Sequence, residues 1–128
     1  MSFKLNKYQL EKYSRQIILK DVGALGQKKI IKSKVLIVGM GGLGCPVAEF
    51  LTRAGIGNIG IVDFDKVDLS NIHRQSLFNL KDLKKSKVIA AKKKLNKINT
   101  QTKVKCYNLK LNRINQSKII KKYDYIVD

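Results

Sequence analysis

Carboxylates are scarce in this chain: 9 Asp and Glu stand against 27 Lys and Arg, a formal charge of +18 over 128 residues. Proline occurs once and cysteine twice. One proline among 44% apolar and 28% charged residues excludes a collagenous, disulfide-dense or disordered chain and suits a single α/β core. Cys45 and Cys106 are too far apart for a CxxC pair and too few for a disulfide framework, which fits a reducing cytoplasm. No stretch approaches the roughly 18 apolar residues of a membrane span, and no secretory-type start is present.

A basic chain first suggests nucleic acid or an anionic membrane. The excess is uneven, however: residues 1–80 hold 12 basic and 6 acidic groups, residues 81–128 hold 15 and 3. Of the 27 cations 23 are Lys, and neither arginine clusters nor interleaved aromatics accompany them. The reading is therefore of solvated lysine faces, with no nucleic acid and no membrane as partner.

What is present is a βαβ pattern. "KVLIV" (34–38) is a β-branched apolar run that stops at "GMGGLG", and "CPVAEFLTRAG" then carries Val47, Phe50, Leu51 and Ala54 on one helical face, with Gly55 as its stop. "NIGIVDFD" follows as a second buried strand. From Ser86, the spacing of Val88, Ala91, Leu95 and Ile98 predicts another helix. "KVKCYNL" predicts a strand with Val104, Cys106 and Asn108 on one face, residues 114–121 a short helix, and "YDYIVD" a fourth strand. Alternating strands and helices imply a Rossmann-like, mostly parallel sheet with helices on both faces. An N-terminal helical arm, residues 1–33, precedes it as two short helices broken around Asp21 to Gly23. Its Ile17, Ile18, Leu19, Ile30 and Ile31 need cover from the sheet domain, residues 34–128, or from a neighbouring subunit.

Gly39, Gly41, Gly42 and Gly44 form GxGxxG after a strand and before a helix, with Asp63 and Asp65 about 20 residues on. Glycine lets a ligand approach the backbone, and the helix N-terminus offers free amides to a phosphate. An acid at the end of the second strand suits ribose hydroxyls, which makes Asp63 the candidate. To this point an NAD-dependent oxidoreductase fits equally. The next segment is denser in polar groups than a dehydrogenase needs: Asp63, Asp65, Asp68, Asn71, Arg74 and Gln75 fall within "DFDKVDLSNIHRQ", followed by Lys84, Lys85 and Lys87 at the start of the next helix. Lysines there oppose the helix dipole unless an anion intervenes, and a triphosphate is such an anion.

"YSRQIIL", "GMGGLGCP", "AGIGNIGIVDFDKVDLSNIHRQ" and "KSKV" together resemble the ThiF/MoeB/HesA family, bacterial relatives of ubiquitin-activating enzymes, from Tyr13 to Asp128. The resemblance implies ATP and magnesium as cofactors. It also implies an adenylyltransferase in which the C-terminal glycine of a ubiquitin-like sulfur-carrier protein, of thiamine or molybdopterin biosynthesis, attacks the α-phosphate. By the same likeness Gly41 and Gly42 line the nucleotide, Asp63 holds the ribose, and Asn71, Arg74 and Lys87 contact the phosphates. Gln75 and Asp65 lie at the same site, and Arg15 is supplied across a homodimer. Relatives of this fold also act on a tRNA-linked threonine or a peptide. The family's magnesium aspartate falls three residues after the position matched by Asp128. The zinc sites of full-length relatives have no counterpart in this sequence, which suggests an N-terminal part of an incomplete domain with slight activity alone.

Other residues read as structural. His73 is a loop histidine, since a carboxylate nucleophile needs no general base at neutral pH. Cys45 and Cys106 suit packing, Asp68 suits an Asx-type turn, and Arg53 suits the helix C-terminus.

Overall fold

The computed structural model describes residues 3–128. Among them the order is α1 (Lys7–Lys12), α2 (Ser14–Ile17), α3 (Gly23–Lys32), β1 (Lys34–Val38), α4 (Gly44–Ala54), β2 (Asn58–Val62), α5 (Lys87–Ile98), β3 (Lys103–Tyr107), α6 (Gln116–Ile120) and β4 (Tyr125–Val127). The four strands form one parallel sheet in the order β3-β2-β1-β4, the first part of a doubly wound arrangement. Both faces are covered, which is why β1 and β2 read as continuous apolar runs and not as alternation. On one face Val35, Ile37, Ile59, Ile61 and Val104 pack against Ala48 of α4 and Val88, Ala91 and Leu95 of α5. On the other, Leu36, Val62 and Tyr107 meet Ile119 of α6, with Tyr123 beside them.

Glycines set two of the close approaches. Gly55, at φ +100°, ends α4 in the left-handed conformation and leaves room for the Tyr13 ring. Gly60 leaves the sheet bare where Tyr123 lies across it.

Several expectations need correction. The segment before β1 holds three helices, because Asn6 and Gln9 form a reciprocal cap that starts α1 in a stretch without apolar periodicity. Phe50 is 65% exposed; the buried face of α4 is Cys45, Ala48 and Thr52. Lys84 and Lys85 precede α5 in a tight loop, Lys84 at φ +66°, and only Lys87 belongs to the helix. Asn108 lies beyond β3 and α6 is shorter than residues 114–121. Ile30 packs on the core, whereas Ile18 and Leu19 stay exposed.

Polar side chains tie the first three helices to the sheet domain. Gln16 and Gln27 both donate to the Ala54 carbonyl, at 2.7 and 3.0 Å, and Gln16 also donates to Gln27. Asn99, after α5, donates to Tyr13 Oη and to the Thr52 carbonyl, both at 3.0 Å, and accepts from Lys12 Nζ at 2.9 Å. The last carbonyls of α4, which lack intrahelical partners, are thus satisfied from both sides.

Candidate functional site

The carboxyl ends of β1 and β2 open onto the glycine loop and the loop after Asp63. Asp63 joins the two: its Oδ2 accepts from the Met40 N–H and its Oδ1 from the Asp65 N–H, each at 2.8 Å. Each carboxylate oxygen keeps a lone pair for a further donor.

The four glycines divide into two kinds. Gly39 is at φ +94°, and a Cβ on Gly44 would overlap the Gly39 carbonyl oxygen, so both are required by the backbone. Gly41 and Gly42 have no such need. A Cβ on Gly41 would find Gln75 Nε2 at 3.9 Å, and one on Gly42 would find Arg74 Cγ and Cδ at 3.6 Å, both ordinary contacts. Their bare faces therefore look onto the side chains of Arg74 and Gln75.

Short-range bonds hold that second loop. Asn71 is 8% exposed; its Oδ1 accepts from the Asp68 N–H at 2.8 Å, and its amide nitrogen makes no hydrogen bond among the described residues. Ser70 donates to Asp68 at 3.3 Å, the turn role expected for that acid. Arg74 Nη1 donates to the Ser70 carbonyl at 2.8 Å and lies 2.9 Å from Nε2 of the exposed His73. Gln75 is 3% exposed with its Oε1 lacking a partner.

Lys87 is the unusual member. It is 6% exposed, yet its ammonium has no salt bridge or hydrogen bond among the described residues, where the ion pair found is Glu49–Arg53. With its stem buried and no counter-charge among the described residues, Lys87, at the start of α5, leaves positive charge for an anion to meet.

Cys45, in the first turn of α4, is pushed up from 9.0 to about 11, chiefly by burial and against the lowering effect of Leu77 and Lys87. It is a packed thiol and not a nucleophile at neutral pH. Above pH 9 the unfolded chain loses this proton while the fold retains it, so the proton counts favour unfolding. Stability of the wild type is expected to fall between pH 9 and 11 more steeply than that of Cys45→Ala. Chemical denaturation at both pH values measures it, and equal slopes would contradict the assignment.

A cavity of about 160 Å³ lies beside Asp63, walled by Val38, Phe64, Leu109 and Leu111, with Lys110 at its edge. Lys110 Nζ sits 5.8 Å from the centre of the Phe64 ring. These five residues were not legible as a site. Asp65 also lines this cavity.

Arg15 is placed elsewhere. Its neighbour Gln16 is bonded at the end of α4 opposite the glycine loop. The helix has 11 residues, about 16 Å of length, beyond the reach of an arginine side chain. Lys84 and Lys85 are exposed in the loop before α5.

Residues 13–128 match the ThiF family. The chain is 43% identical over 125 residues to the adenylyltransferase and sulfurtransferase MOCS3 of Culex quinquefasciatus, covering 98% of this chain and 28% of that protein. It is 40% identical over 122 residues to the sulfur carrier protein adenylyltransferase of Thermus thermophilus, covering 95% and 45%. Among solved structures, E. coli MccB with ATP superposes with a TM-score of 0.81 at 30% identity, covering 98% of this chain and 39% of that one. The chain thus spans less than half the length of these relatives.

Proposed function

The chain belongs to the ThiF family, and from that premise we propose that it forms the ATP-binding part of an enzyme that adenylates the C-terminal glycine of a ubiquitin-like sulfur-carrier protein. The observation that carries the reading is a pair of glycines free of backbone constraint with Arg74 and Gln75 laid against them. Lys87, without an ionic partner among the described residues, is proposed to complete the crevice.

In this reading the base enters the cavity beside Phe64, Leu109 and Leu111, and Asp63 accepts from the ribose hydroxyls. The triphosphate runs over Gly41 and Gly42 toward Asn71, Arg74, Gln75 and Lys87. A carboxylate oxygen of the carrier bonds to the α-phosphorus as the bond to the β-phosphate oxygen breaks, giving acyl adenylate and pyrophosphate. Two anions approach each other in that step. Fixed cations offset the repulsion and stabilise the charge on the pentacoordinate phosphorus. Among the described residues no three His, Cys, Asp or Glu side chains come together. Magnesium would be held with the phosphates, and this chain's own part is to bind and orient.

A second copy of the chain is the proposed source of Arg15. The outer face of α4 is uncovered at Phe50, with Leu43 just before the helix 85% exposed. Two such helices packed antiparallel about a two-fold axis would bring the Arg15 end of one beside the glycine loop of the other. The NAD-dependent alternative shares the glycine loop and Asp63 but leaves Arg74 and Lys87 without a task.

Titration is expected to show that the chain binds ATP in preference to NADH. In exchange of labelled pyrophosphate into ATP, dependent on added carrier protein, Arg74→Ala is expected to lower the rate by on the order of 100-fold or more. Exchange that ignores both the carrier and the substitution would remove the adenylation reading.

A further inference from the structure

The side of the sheet away from α4 and α5 carries a second concavity, at the opposite ends of the strands from the glycine loop. Parallel register sets its rows: Lys34, Asn58 and Lys103 align across β1, β2 and β3, and Leu36, Gly60 and Lys105 form the next row on the same face. Gly60 contributes no side chain, and Tyr123, from the turn after α6, occupies the space above it and forms one wall of the hollow. The resulting cavity is about 300 Å³, walled by Lys34, Lys103, Lys105, Lys122, Tyr107 and Tyr123.

No carboxylate among the described residues lines it. Asp124, next to it in the chain, accepts from the Lys34 backbone N–H at 2.9 Å and is one negative charge beside four lysines. No other Asp or Glu occurs in the sequence from Lys103 to Lys122. The polar groups besides the lysines are donors as well. The Asn58 amide makes no hydrogen bond among the described residues. The Tyr107 and Tyr123 hydroxyls lie 2.9 Å apart, so one hydrogen bond between them leaves the other O–H free. Burial, then the bond to Tyr107, keep the Tyr123 phenol protonated far above neutral pH, preserving it as a donor.

Edge strands often carry lysines to discourage pairing, which accounts for cations along β3 but not for Lys34 and Lys122 from other segments around the same hollow. Four ammonium groups about one cavity repel each other until an anion enters. We propose that this cavity binds a small polyphosphate anion, with inorganic pyrophosphate as its simplest form, at a site separate from the glycine-loop crevice. A hollow of this size suits a short phosphate chain better than an extended nucleic-acid strand.

The test is an amide NMR titration of the intact chain with inorganic pyrophosphate at physiological ionic strength. Saturable shifts are expected at Asn58, Gly60, Lys103 and Lys105, with their own midpoint, distinct from any shifts at Gly41 and Gly42. Lys103→Gln with Lys105→Gln, both exposed on an edge strand, is expected to weaken the first set roughly tenfold or more and leave the second unchanged. Lys122→Gln, outside the sheet, gives an independent check should that pair disturb folding. Shifts confined to the glycine loop would overturn the proposal, as would shifts spread evenly over every lysine face. A short RNA that competes more tightly than pyrophosphate would overturn it in favour of a nucleic-acid surface.

Discussion

Replacing Lys87 by Met is expected to make the fold more stable and ATP binding weaker at once. Lys87 is 6% exposed and carries an ammonium without an ionic partner among the described residues. Replacing an ammonium that lacks a counter-charge at the end of a buried stem, while keeping a side chain of similar length and shape, should stabilise by on the order of 1 kcal/mol. The same change deletes a charge-assisted contact to phosphate, and ATP affinity should drop roughly ten- to a hundredfold. Thermal unfolding of the two proteins with and without ATP reads both effects. A Lys87→Met protein that is less stable, or that binds ATP as the wild type does, would show the lysine to be ordinary packing.

Substituting the glycines one at a time should separate architecture from ligand contact. Gly44→Ala places a methyl group inside the Gly39 carbonyl oxygen, backbone against backbone, with Ile37 Cγ2 behind it at 3.7 Å. Neither side can give way cheaply, and a loss of about 3 kcal/mol or more is expected, with a shifted denaturation midpoint. Gly41→Ala and Gly42→Ala meet nothing closer than 3.6 Å and should fold with nearly unchanged midpoints. Their methyl groups nevertheless point at Gln75 and Arg74, into the space assigned to the phosphates, and ATP binding should fail in both. If Gly41→Ala and Gly42→Ala bind ATP normally, the phosphates do not lie there.

Much of this arrangement could be read before any coordinates, and the reason is local. β1, α4 and β2 announce themselves through an apolar run, a glycine loop, a helical spacing and Gly55, all signals within a few residues of one another. The approach of Arg74 and Gln75 to Gly42 and Gly41 is of another kind. It joins segments about thirty residues apart, and the resemblance suggested it where periodicity could not. Phe50 was misassigned because an apolar residue at helical spacing looks like core whether or not anything covers it. α1 was missed since its start depends on two polar side chains, Asn6 and Gln9, and not on an apolar stripe. The cavity walls at Leu109 and Leu111 became visible only when the chain after β3 folded back beside Phe64.

The latch formed by Tyr13, Gln16, Gln27 and Asn99 has a consequence for how the chain is made. Tyr13 leaves the ribosome early, whereas Asn99, its hydrogen-bond partner, is polymerised 86 residues afterwards. At about 5–20 residues per second, that is a wait of roughly four to seventeen seconds. Throughout the interval the Tyr13 segment lacks its bond to Asn99. Docking of the Tyr13 segment thus waits on Asn99, and a nascent chain halted before Asn99 should be cut near Tyr13 first by protease.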